Sequence, residues 1–166
     1  MEVIKTKNPR FTIRFAVPGE AEMVLEFMRK LGAYQKMSDK ITATEEDIYK
    51  LLSDKKGGAI FGDYDGKTVA FIYFCRNSSA FIGQAGIYID GFYVDETMRF
   101  KGLGKIMMSF MSRFAIESDC RRLEWGCLNW NTPSIKFYKD RGAVAVDTMT
   151  VYRLPPDKLK ENAALF

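Results

Sequence analysis

A chain of 166 residues, 47% of them hydrophobic and 14% aromatic, can bury one sizeable core without metal or disulfide support, so a single domain over residues 1–166 is expected. Its net charge of +4 comes from Lys and Arg scattered along the chain, which argues only weakly for nucleic acid, and no apolar stretch approaches the ~18 residues of a membrane span. Histidine is absent, and Cys75, Cys120 and Cys127 show no C-x-x-C spacing; Ser-His-Asp and Cys-His nucleophiles are excluded, and neither a disulfide framework nor a metal site is suggested. The three cysteines read as reduced core residues. Glu2, Lys5 and Lys7 stand where a signal peptide would carry an apolar run, so a cytoplasmic location is expected.

In chain order, Phe11, Ile13 and Phe15 alternate with polar residues as a half-buried strand does, and Pro18 stands where a helix can begin. Met23, Val24, Phe27, Met28 and Leu31 recur at helical spacing from Ala21 to Leu31, and Gly32 closes that helix. After a loop, Thr44 followed by Glu45, Glu46 and Asp47 caps a second helix carrying Ile48, Leu51 and Leu52. Ala59 to Tyr64 and Thr68 to Phe74 are strand-like runs joined by Asp65-Gly66, a hairpin signal. Gly86 to Val94 reads as a strand, Lys105 to Ile116 as an amphipathic helix, and Arg122 to Leu128 as a strand. Pro133 to Lys139 reads as a short helix, Val144 to Leu154 as one or two final strands, and the tail from Pro155 as a short helix or a frayed end (core about 11–154, tail 155–166). Only the middle of this order is βαβ, which suits an α/β (α+β mixed) fold with a mixed sheet and helices on both faces.

Between strand and helix lies Arg99-Phe100-Lys101-Gly102-Leu103-Gly104. Glycines let the turn fold tightly, and the first helical turn leaves backbone amides unpaired at a partly positive end, a combination that cradles phosphate. A P-loop would need glycine at the position of Arg99 and Ser or Thr at that of Ile106; the dinucleotide fingerprint would need glycine at Met107. Neither pattern is present, which leaves Arg-x-x-Gly-x-Gly.

That turn, with Asn131-Thr132-Pro133-Ser134-Ile135-Lys136-Phe137-Tyr138 downstream, resembles the GCN5-related N-acetyltransferase (GNAT) family. The stretches Trp130 to Ala143 and Tyr88-Ile89-Asp90-Gly91-Phe92-Tyr93-Val94 resemble its diamine (spermidine/spermine) N-acetyltransferase branch, and the likeness runs from about Ile13 to Tyr152. The resemblance implies a central mixed, mostly antiparallel sheet of six to seven strands. It also implies acetyl-CoA as cofactor, no metal, a homodimer, and transfer of acetyl to a primary amine by direct attack in a ternary complex. No nucleic-acid or membrane partner is expected.

By the same resemblance, Arg99, Lys101, Gly102, Leu103, Gly104 and Lys105 hold the pyrophosphate, with Phe92, Val94, Asn131 and Ser134 lining the rest of the cofactor. Tyr138 matches the general acid that protonates the departing thiolate; a tyrosine hydroxyl, with an ordinary pKa of about 10, is protonated at neutral pH. A core tyrosine is the structural alternative. Asn131 also makes an ordinary N-cap before Pro133. Asp90 matches an acid that faces the acceptor amine; a carboxylate in an apolar strand is costly to bury without a purpose, although a structural carboxylate at a bulge is the rival reading.

Tyr34, Gln35 and Met37 fall where the family lines its amine site. Gln35 stands in place of the diamine enzymes' glutamate, and Gly91 in place of their second acid. A polycation would meet fewer negative charges here, which points to a small primary amine, such as a diamine or a lysine-like amino acid, and away from spermine. A protein N-terminal or lysine acetyltransferase, or a CoA-binding regulatory module without turnover, remain as alternatives.

Overall fold

Strands lie side by side in their sequence order, β1 to β6, in one sheet. In the computed structural model, which describes residues 2–166, they are β1 (Ile4–Lys5), β2 (Phe11–Phe15), β3 (Gly58–Tyr64), β4 (Lys67–Ser79), β5 (Gln84–Val94) and β6 (Cys120–Trp125). Neighbours pair antiparallel except β5 and β6, which run parallel because the helix α3 (Leu103–Glu117) carries the chain back between them. The mixed, mostly antiparallel sheet expected from the sequence is thus formed. The chain divides into two compact units, Met1–Gly126 and Cys127–Phe166; the sheet belongs to the first.

Turn chemistry sets the central register. Asp65 (φ 49°) and Gly66 (φ 79°) are both left-handed, as a two-residue hairpin turn requires, and Tyr64 pairs with Lys67 across it. Both strands of the next hairpin are longer than their apolar runs. Arg76, Asn77, Ser78 and Ser79 extend β4 because their backbone pairs with Gln84 to Ile87, so ladder bonds continue where hydrophobic patterning ends.

Two helices, α1 (Ala21–Tyr34) and α2 (Glu45–Ser53), cover one face. Val24, Leu25, Phe27, Ile48 and Leu52 pack there against Ala59, Phe61 and Phe71, with the Phe27 and Phe71 rings stacked at 5.6 Å. The predicted cap of α2 is present: Thr44 Oγ1 accepts from the Asp47 amide (3.2 Å), and the Asp47 carboxylate accepts from the Thr44 amide (2.9 Å). Helix α3 covers the other face, where Phe114 meets Phe74 at 5.5 Å and Phe15 at 5.3 Å.

Along β2 the expected alternation of apolar and solvated residues fails at its end. Arg14 is 8% exposed, whereas Phe15 is 36% exposed. Arg14 is buried because it is paired: Nη1 donates to Glu20 (2.6 Å), Nε donates to Asp63 (2.9 Å), and its guanidinium sits 4.8 Å from the centre of the Phe61 ring.

The second unit contains α4 (Thr132–Lys139) and α5 (Pro156–Ala163), so the tail from Pro155 is helical. The strands expected in Val144 to Leu154 are not formed. Val144, Val146, Val151 and Tyr152 are exposed, and the unit offers no strand to satisfy their backbone groups. No helix among the described residues is long and apolar enough to cross a membrane.

Candidate cofactor and acceptor sites

The parallel strands β5 and β6 part company midway. Ile89–Trp125 is their last pair, whereas β5 stays paired with β4 as far as Val94–Ala70. The backbone from Asp90 to Val94 is therefore laddered to β4 but has no ladder partner in β6. Phe92 and Val94, two of the residues expected at the cofactor, lie on this stretch.

Past Val94 the chain makes a 3-10 turn at Glu96–Met98 and then takes up two left-handed residues, Phe100 (φ 62°) and Gly102 (φ 79°). Such a φ is strained for a phenylalanine, whose side chain is fully exposed and gains nothing from packing. Helix α3 begins at Leu103, and Ile106 N donates to Gly102 O (3.2 Å) as an early rung of its ladder. The amides of Leu103, Gly104 and Lys105 precede that rung and have no intrahelical acceptor. Left-handed Phe100 and Gly102 turn the neighbouring backbone into a concave row of donors at the positive end of a 15-residue helix. No carboxylate occupies the first turn of α3 to compete for them, and Lys101 and Lys105 are exposed beside it. These donors fit an anionic ligand such as a phosphate.

Arg99 is held firmly at the entrance to this turn. Its Nε donates to Val94 O (3.1 Å), Nη1 lies 3.7 Å from Glu96, and its guanidinium carbon is 4.4 Å from the centre of the Tyr34 ring and 5.4 Å from that of Tyr93. Tyr34 is the last residue of α1, and Gln35 is its C-cap. A residue expected at the acceptor and one expected at the cofactor are thereby in direct contact.

Asp90 occupies the bulge. Pairing passes from Phe74–Ile89 to Tyr73–Gly91, which leaves Asp90 as the extra residue. Its side chain is exposed, so the expectation of a costly buried carboxylate is corrected: the bulge turns Asp90 out of the strand's regular packing. Its charge nevertheless reaches Tyr73 and Cys75. Burial first, and the Asp90 carboxylate second, push the Tyr73 hydroxyl and the Cys75 thiol above their ordinary pKa.

Next in the chain, Gly91 has a packing reason. A Cβ there would lie 2.9 Å from Met28 Sδ and 3.3 Å from Leu31 Cδ2, so α1 sits too close for a side chain. The acid that the diamine branch carries at this position has no room. The sequence reading missed Tyr73 and Cys75 because they lie in the continuous apolar run of β4, Val69 to Cys75; only their pairing opposite Gly91 and Tyr88 marks them as one face. It also missed Glu124, beside Tyr88 in the parallel register, which accepts from Asn77 Nδ2 (3.1 Å) and pairs with Arg122 (3.0 Å).

In the second unit, Asn131 is buried and caps α4, its Oδ1 accepting from the Ser134 amide (3.3 Å). Tyr138 is half-buried, edge-on to Phe137 with ring centres 5.3 Å apart. Phe137 is also half-buried, capped at 3.9 Å by the Arg141 guanidinium. Of the cysteines read as core, only Cys120 is buried; Cys75 and Cys127 are half-buried, and Cys127 lies past the end of β6. Burial pushes the Cys127 thiol upward too. Among the described residues, no three His, Cys, Asp or Glu side chains gather as metal ligands.

The chain is 28% identical over 116 residues to L-ornithine N5-acetyltransferase NATA1 of Arabidopsis thaliana, a match covering 70% of this chain and 48% of that protein. It therefore spans about half the length of that relative. It is 28% identical over 144 residues to thialysine N-epsilon-acetyltransferase of Bos taurus, covering 79% of this chain and 82% of the other. An integron cassette protein from the mobile metagenome of V. cholerae shares the fold, with a TM-score of 0.74 and 24% identity over 93% of this chain and 98% of that one. Residues 22–143 match the acetyltransferase (GNAT) family, and the chain belongs to that family.

Proposed function

We propose that this protein is an acetyl-CoA-dependent N-acetyltransferase whose acceptor is the primary amine of a small molecule. The observation that carries the reading is the donor-lined turn before α3, with the amides of Leu103 to Lys105 lacking an intrahelical acceptor, directly after the β5 stretch that leaves β6. That stretch offers backbone donors and acceptors to a pantetheine amide chain, and the turn offers amides and two ammonium groups to a pyrophosphate. Acetyl-CoA would supply the activated acetyl thioester there. Arg99, Lys101, Gly102, Leu103, Gly104 and Lys105 have the pyrophosphate role in this reading. Asn131 and Ser134 are assigned to the cofactor by resemblance, and so is the part of Tyr138, whose hydroxyl donates a proton to the departing sulfur.

Asp90 is the residue we assign to the acceptor. Exposed at the bulge, its carboxylate can pair with a substrate ammonium and receive a proton from it, directly or through water. Two features favour an acceptor of low charge. Gly91 leaves no space for a second acid, and Glu124 is already engaged by Arg122 and Asn77. The relatives named for ornithine and thialysine support a diamine or lysine-like amino acid as acceptor.

We further propose a homodimer. Val144, Val146, Val151 and Tyr152 form a strand-like apolar pattern that is exposed within one chain, and a second copy would supply its sheet partner. Thiol release from acetyl-CoA against ornithine, thialysine, lysine, putrescine, spermidine, spermine and a peptide N-terminus tests the reading. Turnover is expected with the small amines and least with spermine. Activity confined to the peptide would replace the small-molecule acceptor with a protein.

A further inference from the structure

Arg99 makes more contacts than a phosphate-seeking side chain needs. Its Nε is committed to Val94 O, the end of β5, and its flat guanidinium is stacked by Tyr34 and Tyr93. Arg99 directly precedes Phe100, whose strained φ of 62° begins the row of donors. A strained residue persists only where its surroundings over-determine it, and here the surroundings of the backbone at 99 are the end of β5 and the end of α1.

The stack also reaches the segment after α1. Beyond Tyr34 the chain turns back on its own helix: Lys36 is left-handed (φ 57°), Lys36 N donates to Ala33 O (3.1 Å), and Met37 N donates to Gly32 O (2.8 Å). Gln35 and Met37, expected at the acceptor, are therefore fixed to the same helix end that Arg99 grips.

We infer that the Tyr34–Arg99 stack is a clamp, with Tyr34 a positioning residue that holds the Phe100–Lys105 turn in its donor geometry and couples it to the acceptor segment after α1. The functional side of this inference rests on the reading that the turn receives the pyrophosphate of CoA. Stacking occupies the faces of a guanidinium and not its rim, so the Nη donors beyond the Nε bond to Val94 O keep the clamp compatible with a phosphate contact from Arg99.

The test compares the wild type with Tyr34→Leu, which removes the ring, and Tyr34→Phe, which keeps it. Amide hydrogen exchange and calorimetric titration of CoA are the readouts. In Tyr34→Leu, exchange of the bonded amides within 98–105, those of Met98 and Arg99, should rise by about tenfold or more while α2 and β3 stay at wild-type rates. CoA affinity should fall about fivefold, the scale of one stacked cation. Tyr34→Phe should keep the wild-type exchange pattern and CoA affinity. Arg99→Lys, which loses the bond to Val94 O as well as the stack, should raise exchange at 98–105 at least as much as Tyr34→Leu.

Unchanged exchange at 98–105 in Tyr34→Leu overturns the clamp, and so does a uniform rise across every strand and helix, which would mark plain destabilisation. A wild type that does not bind CoA removes the cofactor reading instead. The exchange comparison then decides the clamp alone.

Discussion

Gly91 and Met28 define how closely α1 lies on β5: a Cβ at Gly91 would come within 2.9 Å of Met28 Sδ. Leu31 and Phe71 close the remaining space at 3.3 and 3.4 Å, so the position is apolar as well as tight. A diamine-type acid placed there would be overpacked and desolvated together.

Gly91→Asp should therefore destabilise the fold by at least about 2 kcal/mol, from overpacking and from a carboxylate without a partner. Urea unfolding measures this, and spermidine turnover should not improve. A stable Gly91→Asp variant with enhanced spermidine turnover would mean that α1 yields readily and that residue 91 is an acceptor position.

Gly102 is a different kind of glycine. Nothing lies within 4 Å of a Cβ there, but its φ of 79° is left-handed. Gly102→Ala should cost about 1–2 kcal/mol of backbone strain or relieve it by reshaping the turn. CoA affinity should then drop by about tenfold, the equivalent of 1.4 kcal/mol. Calorimetric titration checks this, and unchanged affinity would place the phosphates elsewhere.

Asp90→Asn separates an electrostatic effect from a catalytic one. The carboxylate and burial both raise the Cys75 thiol, so removing the charge should move the pH midpoint of Cys75 alkylation downward, while burial keeps it above the ordinary value of about 8.5. Mass-spectrometric alkylation rates for the Cys75 peptide measure the shift. If Asp90 also accepts the substrate proton, the pH–rate profile for acetyl transfer should move to the alkaline side. A shifted Cys75 with a superimposable rate profile would make Asp90 an electrostatic neighbour and nothing more.

For Tyr138→Phe, turnover should fall on the order of 100-fold with CoA affinity unchanged, the signature of a lost proton donor. Steady-state kinetics beside a CoA titration distinguish this from a packing role, in which turnover would stay within a few-fold.

Local signals made much of this molecule legible before any coordinates. Thr44 and Asp47 announced a capping box, Asp65-Gly66 a hairpin, and Arg99 to Gly104 a turn with free amides, because each depends on backbone chemistry within a few residues. What the sequence concealed depends on distant partners. Arg14 reads as a solvated strand residue until Glu20 and Asp63 are seen to pair with it. Val144 to Leu154 has the composition of a strand, but a strand exists only with a partner, and none lies within its unit. Asp90 reads as a buried carboxylate, but the bulge exposes it, and no periodicity reports which residue of a strand is the extra one. Arg99 is not legible in the sequence as the partner of Tyr34, because the two lie far apart in the chain.

The central claim is that CoA lies along the β5 stretch past its last pair with β6 and ends in the turn before α3. Amide chemical shifts of the wild-type protein during a CoA titration test it most directly. The account predicts the largest shifts at Gly91 to Val94 and at Phe100 to Lys105, with saturation. Saturable binding whose shifts fall outside both stretches, or no binding, would contradict it.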